Sequence, residues 1–283
     1  MGEIIEAIVV GIVQGLTEFI PVSSSAHLNL APWILGFEQS RVVGTLAFDV
    51  FLHLGSLVAL LTYFARDWIR LITAWFASVR ERRIGGDPDR RLVWLLIAAT
   101  IPAALIGLVF EDLIEVTFHG ESDAARLAMA GFLTVGGLGL WLADRFGGRR
   151  RSIEGVTLPV ALTIGLSQAL ALMPGISRSG ATITAGLALG LDRESAARFA
   201  FLLATPITLG AGLYGSRRLF AEQLTMNEWL SIAAGFIASL VASLLAIGFL
   251  LAWLRRRSVA VFAVYRFLFA VVIVVLVVSG HGS

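Results

Sequence analysis

The sequence predicts an all-α polytopic membrane protein: an inverted repeat with about six transmembrane helices and two broken, re-entrant helical hairpins. Three observations carry this. Of 283 residues, 57% are hydrophobic and 15% charged, with a mean hydropathy of +0.85; a soluble domain carries about 45–50% and 25%. Long uncharged stretches alternate with short charged connectors. Two short motifs recur, one in each half. So little polar surface cannot coat a water-soluble globule, and it excludes a disordered chain, a fibrous fold and a nucleic-acid binder; the sequence pI near 9.6 does not restore the last. All 22 basic residues are Arg, which is mainly sequence bias, although Arg is also the better bidentate phosphate ligand. With no cysteine there is no disulfide, thiolate nucleophile or Cys-zinc site. The opening MGEIIEAIVV has no basic n-region and does not resemble a cleaved signal peptide.

Stretches 43–64, 92–110, 125–143, 196–215, 229–253 and 259–279 are long enough to cross ~30 Å of hydrocarbon at about 20 residues each. Segment 3–36 is interrupted at Pro21 and a serine run, and segment 155–190 at Pro174-Gly175 and a serine pair. Each reads as two short helices meeting in a polar turn. Arginine placement sets the orientation. Connectors 65–91 (seven Arg, four acids), 144–154 (four Arg, two acids) and 254–258 (Arg255 to Arg257) are expected to be cytoplasmic. Connector 111–126, with five acids and one Arg, and connector 216–228, with two of each sign, are expected outside. All five fit if the six stretches span and both broken segments re-enter. Full crossing by one or both broken segments is the alternative.

The halves match. Gly11-Ile-Val-Gln14 aligns with Gly165-Leu-Ser-Gln168, and nine residues beyond each Gln comes Ser23-Ser24-Ser25 or Ser177-Arg178-Ser179. Three spans per half is odd, so repeat two (155–283) is inverted relative to repeat one (1–143), within one membrane domain of residues 1–283. That plan places broken helices near the midplane. Chance similarity between apolar helices is the competing explanation.

Gln14 and Glu18 are four apart and share one face of the first short helix; Pro21 ends that helix. Ser23, Ser24 and Ser25 follow, and His27 lies four residues beyond Ser23 and three beyond Ser24, so that hydroxyl and imidazole share a face. A carboxylate and an imidazole at membrane depth are a site by default, against the plainer reading of a serine-rich cap with Glu18 reaching water. In the second motif, Gly175 and Gly180 bracket Ser177-Arg178-Ser179, and Thr182 follows. Glycines allow close backbone approach, a helix N-terminus favours an anion, and Arg with hydroxyls supplies phosphate donors. Arg178 snorkelling to the interface is the alternative. Inverted repeats bring both turns to one depth, a setting for phosphate-ester or diphosphate chemistry. A carboxylate facing phosphate needs a proton to move or a hard divalent cation, Mg²⁺ or Ca²⁺, in between.

QGLTEFIPVSSSAH and PGISRSGAT closely resemble the two signature motifs of the undecaprenyl-diphosphate phosphatase family, the bacitracin-resistance membrane phosphatases. The resemblance extends over essentially the whole chain, including Phe48-Asp49, His53-Leu-Gly55 and Tyr265-Arg266-Phe267. It implies a multi-pass inner-membrane enzyme, with its site open to the periplasmic side, that removes the terminal phosphate of undecaprenyl diphosphate with a divalent cation. It places functional positions on Glu18, Ser23, Ser24, His27, Ser177, Arg178 and Ser179. Where the family's motif has a first glutamate, this chain has Gln14. An amide can ligate a cation through oxygen but cannot act as base, so the acidic role falls to Glu18 alone and the metal stoichiometry stays open.

On this reading Glu18, Ser24, His27 and Arg178 are catalytic, with Ser24 or a water attacking and His27 moving the proton. Ser23, Ser25, Ser177, Ser179, Gly175, Gly180 and Thr182 bind phosphate. Glu18 holds the cation, with Gln14 assisting. Asp49 and His53, at i,i+4, are supporting partners or simply a mutual pair. Glu194 and Arg198 form an interfacial ion pair, and Arg266 snorkels or pairs with an internal acid. Gly11, Gly15, Gly186, Gly190, Gly131, Gly136, Gly137 and Gly139 allow close helix contact. The partners are the bilayer and a polyprenyl diphosphate lipid, not nucleic acid, with room for a homodimer. A polyprenyl-phosphate flippase is the rival class; a scaffold would leave the paired polar turns without a purpose.

Overall fold

The computed structural model describes residues 2–37, 40–118, 122–219 and 224–280, with only the backbone at 46, 111–118 and 216–219. Among them are eleven α-helices and no strand. In chain order they are α1 (Gly2–Phe19), α2 (Ser24–Leu35), α3 (Leu46–Tyr63), α4 (Ala65–Glu81), α5 (Pro88–Phe118) and α6 (Asp123–Phe146). After them come α7 (Leu158–Ser167), α8 (Arg178–Ala188), α9 (Arg193–Leu219), α10 (Met226–Leu254) and α11 (Ala260–Val278). Five helices (α5, α6, α9, α10 and α11) are long and apolar enough to cross a membrane, or six if α3 and α4, bent by 77° at their junction, count as one span. The chain is a polytopic all-α membrane protein. Segment 3–36 is two helices joined by a polar turn, and segment 155–190 is the same with a short 3₁₀ helix, Gln168–Leu172, between α7 and the turn.

One connector is not a connector. Most of 65–91 is α4, because Trp68, Leu71, Trp75 and Ser78 recur at helical spacing and pack on the main core, while Ile69, Phe76 and Arg70 face outward. That is an amphipathic helix with arginines on its outer face, the composition of one lying along an interface. Charge counting hid the period. The side chains of 111–121 and 216–223, on which the two outer placements largely rest, lie outside the described residues.

Small residues set the helix packing. Gly11 and Gly15 on α1 lie against the backbone of Gly235 and Ser239 on α10; a Cβ on Gly15 would come within 2.7 Å of the Ala242 Cβ. Gly165 on α7 lies equally close to the backbone of Ala99 on α5. A buried hydroxyl chain joins α3 to α10: Ser243 to Ser56 at 3.0 Å, Ser56 to Ser239 at 3.1 Å, and Ser239 to the Leu52 carbonyl at 2.8 Å. Gly186 packs on Ala196, and Gly136 and Gly137 pack on Arg266 and Phe267. Gly131 and Gly190 do not fit the expectation of close contact: neither has a neighbour where a Cβ would stand, and Gly190, at φ +90°, instead turns the chain after α8. Glu194 and Arg198 also part company. Glu194 pairs with Arg255 at 3.0 Å and Arg198 with Asp67 at 3.2 Å, because α9 packs against other helices that offer nearer partners.

Candidate active site

The two polar turns use one device twice. Ser23, after the Pro21 break, has φ 77°, and Ser177, after Pro174-Gly175, has φ 72°. Each hydroxyl caps the helix that follows, Ser23 accepting from the Ala26 N–H at 3.4 Å and Ser177 from the Gly180 N–H at 3.1 Å. A left-handed conformation at a non-glycine residue costs of order 1–3 kcal/mol and persists where the surroundings enforce it, often at functional turns. Gly175 must be glycine: its φ is +104°, and a Cβ there would lie 2.6 Å from the Met129 carbonyl oxygen. The turns touch through Ser25, which accepts from the Gly175 N–H at 3.4 Å and bonds Ser23 at 3.1 Å.

Glu18 is where the motifs meet. It is 8% exposed. Arg178 donates to its Oε1 in an ion pair across the two halves. Its Oε2 accepts from the Ser24 hydroxyl at 2.7 Å and from the Gln14 amide at 3.1 Å. His53 presents Nε2 to the same oxygen at 3.8 Å, while its Nδ1 lies 2.8 Å from the Asp49 backbone carbonyl. His53 is therefore directly at the site, and Asp49 serves it by its carbonyl. A small cavity beside this cluster is lined by Glu18, Phe19, Arg178, Ser179, Thr182 and residues of α9.

His27 shares the face its spacing predicts but takes other partners than the serine hydroxyls. Its Nδ1 lies 2.7 Å from the Ser23 carbonyl and its Nε2 2.7 Å from the Tyr265 hydroxyl, with the ring stacked on Phe269 at 4.3 Å. The Nδ1 proton is given to the carbonyl, so Nε2 accepts from Tyr265. Ser24 is bonded to Glu18, not to His27. Ser179 bonds Ser177 at 3.2 Å, and Thr182 bonds back to the Arg178 carbonyl at 2.8 Å. Arg266 does not snorkel, and among the described residues it meets no acid: it is wholly buried and donates to the carbonyls of Leu133, Gly175 and Ile176. Sequence reading missed Tyr265 as the partner of His27; the signal available was the polar Tyr265-Arg266 pair inside an apolar span.

Two capped helix N-termini and an arginine stand together, and the arginine is paired with a buried carboxylate that holds a serine hydroxyl. In an all-α polytopic membrane protein this is an arrangement suited to an integral membrane phosphatase. The family model described as bacitracin resistance protein BacA matches residues 7–272, and the chain belongs to that family. A protein of Pelobacter propionicus is 44% identical over 277 residues, 98% of each chain. One of Desulforudis audaxviator is 46% identical over 271 residues, 96% of this chain and 97% of its own. One of Gemmatimonas aurantiaca is 47% identical over 268 residues, 95% of this chain and 96% of its own. All three are named undecaprenyl-diphosphatase.

Proposed function

We propose that the chain hydrolyses undecaprenyl diphosphate to undecaprenyl phosphate and inorganic phosphate, with Ser24 as nucleophile and Glu18 as its base. The observation that carries the mechanism is the 2.7 Å hydrogen bond from the Ser24 hydroxyl to the buried Glu18 carboxylate. The diphosphate binds at the N-termini of α2 and α8, whose free amides favour an anion, and takes Arg178 from Glu18. Ser24 Oγ attacks the terminal phosphorus as its proton passes to Glu18. The bridging P–O bond breaks and undecaprenyl phosphate leaves with the proton that Glu18 received; Glu18 then takes a proton from the water that attacks the seryl phosphate and returns it to Ser24 Oγ as inorganic phosphate departs. His27, locked between Ser23 and Tyr265, holds the turn that aims Ser24.

A divalent cation, Mg²⁺ or Ca²⁺, belongs to this reading. The buried Oε1 of Gln14 has no hydrogen-bond partner among the described residues, and its amide adjoins Glu18. With Ser24 these are hard oxygen donors of the kind such cations take. No group of three His, Asp or Glu side chains gathers among the described residues, so Glu18 and Gln14 would hold the ion jointly with phosphate oxygens. Bound there, it would neutralise charge developing on the phosphoryl group. Gln14→Glu is expected to stay active and to lower the half-saturating Mg²⁺ concentration several-fold, because two carboxylates on one face hold a dication better than one. An unchanged or raised requirement in an Mg²⁺ titration removes Gln14 from the site.

The pairing of α1 with α10 and of α7 with α5, each broken segment on the middle span of the other half, supports the inverted-repeat reading. With arginine-rich connectors on the cytoplasmic side of a bacterial inner membrane, the site opens to the periplasmic face and the reaction recycles the lipid carrier of cell-wall synthesis. A polyprenyl-phosphate flippase is not supported: the relatives carry a diphosphatase name, and a carboxylate with a serine on it has no task in passing an anion.

The test is phosphate release from undecaprenyl diphosphate by purified protein in detergent, with and without EDTA. Release lost on chelation and restored by Mg²⁺ is expected; no release at any cation concentration ends the enzyme reading. In the same assay Arg178→Lys keeps the charge but loses the planar fork. With a charged hydrogen bond worth about 1.5–3 kcal/mol, kcat/KM is expected to fall about tenfold to a hundredfold. A silent replacement would mean that Arg178 serves only as a point charge.

A further inference from the structure

Arg266 sits in α11, an otherwise apolar span, and is 0% exposed. Its Nε donates to the Leu133 carbonyl at 3.1 Å, and its Nη2 to the carbonyls of Gly175 at 2.8 Å and Ile176 at 2.9 Å. Its Nη1, with two N–H bonds, has no partner among the described residues, and no carboxylate among them reaches the guanidinium. Two glycines make room for it: a Cβ on Gly180 would stand 2.7 Å from Nη1, and one on Gly136 would run into Nη2. Gly180 lies in the first turn of α8. The unpartnered end of Arg266 is therefore pressed against the underside of the turn that carries Ser177, Arg178 and Ser179.

A guanidinium cannot shed its proton, and a charge at membrane depth without a counter-ion is costly. Carbonyl dipoles offset part of that cost. We infer that the diphosphate itself is the counter-ion of Arg266, which makes Arg266 a second, buried cation of the phosphate cradle. This rests on the phosphatase reading of the site. Arg266 is a positioning residue: it need not touch the substrate. It clamps the Gly175 and Ile176 carbonyls, which fixes the turn, and it adds positive potential beneath amides that already point at the anion. In a low-dielectric surrounding such a charge acts over several ångströms with little screening.

Three variants separate charge from shape. Arg266→Lys keeps the charge and loses the fork; Arg266→Gln and Arg266→Met lose the charge. With purified full-length protein, the readouts are KM and kcat for undecaprenyl diphosphate, and the shift in melting temperature on adding inorganic pyrophosphate. We expect the uncharged variants to stay folded without ligand, since removal of an uncompensated charge offsets part of the loss of three carbonyl hydrogen bonds. Their pyrophosphate-induced shift should vanish and KM should rise tenfold or more, with a smaller change in kcat. Lys should restore most of the shift. Two outcomes overturn the inference: Gln or Met binding pyrophosphate like wild type, or Lys failing as badly as Gln. Collapse of both uncharged variants into aggregate also overturns it, because the guanidinium would then serve folding alone. Arg178→Gln, measured alongside, separates the two levels of inference: if it too binds pyrophosphate and turns over normally, the site assignment has failed rather than the role of Arg266.

Discussion

Glu18→Gln is expected to lower kcat by about 10³-fold or more, within the range a positioned general base supplies and enlarged by the loss of two further functions. The glutamine keeps the size of the side chain, so the packing against Phe19 and α9 survives. It cannot take the Ser24 proton. It also strips the anion from Arg178, which is only partly exposed at 23%, and leaves the Gln14 amide donating to a neutral group. Breaking a buried pair by removing one partner costs about 3–5 kcal/mol; melting temperatures must therefore be measured with the kinetics, to separate lost chemistry from lost fold. Wild-type turnover in Glu18→Gln would dismantle the site as drawn. Were Gln14→Glu inactive at the same time, the roles of the two positions would be reversed.

Ser24→Ala should lower kcat by about 10³-fold, as removal of a covalent nucleophile does when binding and electrostatics remain intact. The helix cap is left alone, since Ser23 and not Ser24 accepts the Ala26 N–H, so stability should change little. Rapid acid quench with terminally ³²P-labelled substrate should show labelled wild-type protein and none in the variant. If Ser24→Ala turns over nearly as fast as wild type, a water is the nucleophile and Glu18 is its base. His53→Gln then becomes informative, because His53 Nε2 faces the same Glu18 oxygen at 3.8 Å.

Spacing within one helix was a good guide only while both residues stayed on that helix's own business. Gln14 and Glu18 share a face and a hydrogen bond as their i,i+4 spacing requires. Asp49 and His53 have the same spacing, yet the imidazole takes the Asp49 carbonyl and turns its other nitrogen to Glu18. Glu194 and Arg198 have it too, and each bonds a residue of a different helix. His27 shares a face with Ser23 and Ser24, but Tyr265, 238 residues away in sequence, supplies its second partner. In the last three cases a neighbouring helix supplied a partner that the local spacing does not reveal.

By itself the sequence determined the membrane character, the six apolar stretches, the two broken segments and the polar residues that stand in their turns. Those properties follow from hydropathy over windows of about 20 residues and from proline, glycine and serine acting on their own backbone. Only the tertiary structure decided that 65–81 is a helix turned 77° from α3, that Ser24 belongs to Glu18 and His27 to Tyr265, and that Arg266 lies against the first turn of α8. The reason is physical: a buried polar group in an apolar medium must find a partner wherever packing puts one, and packing here is set by glycine and serine contacts between helices far apart in the chain.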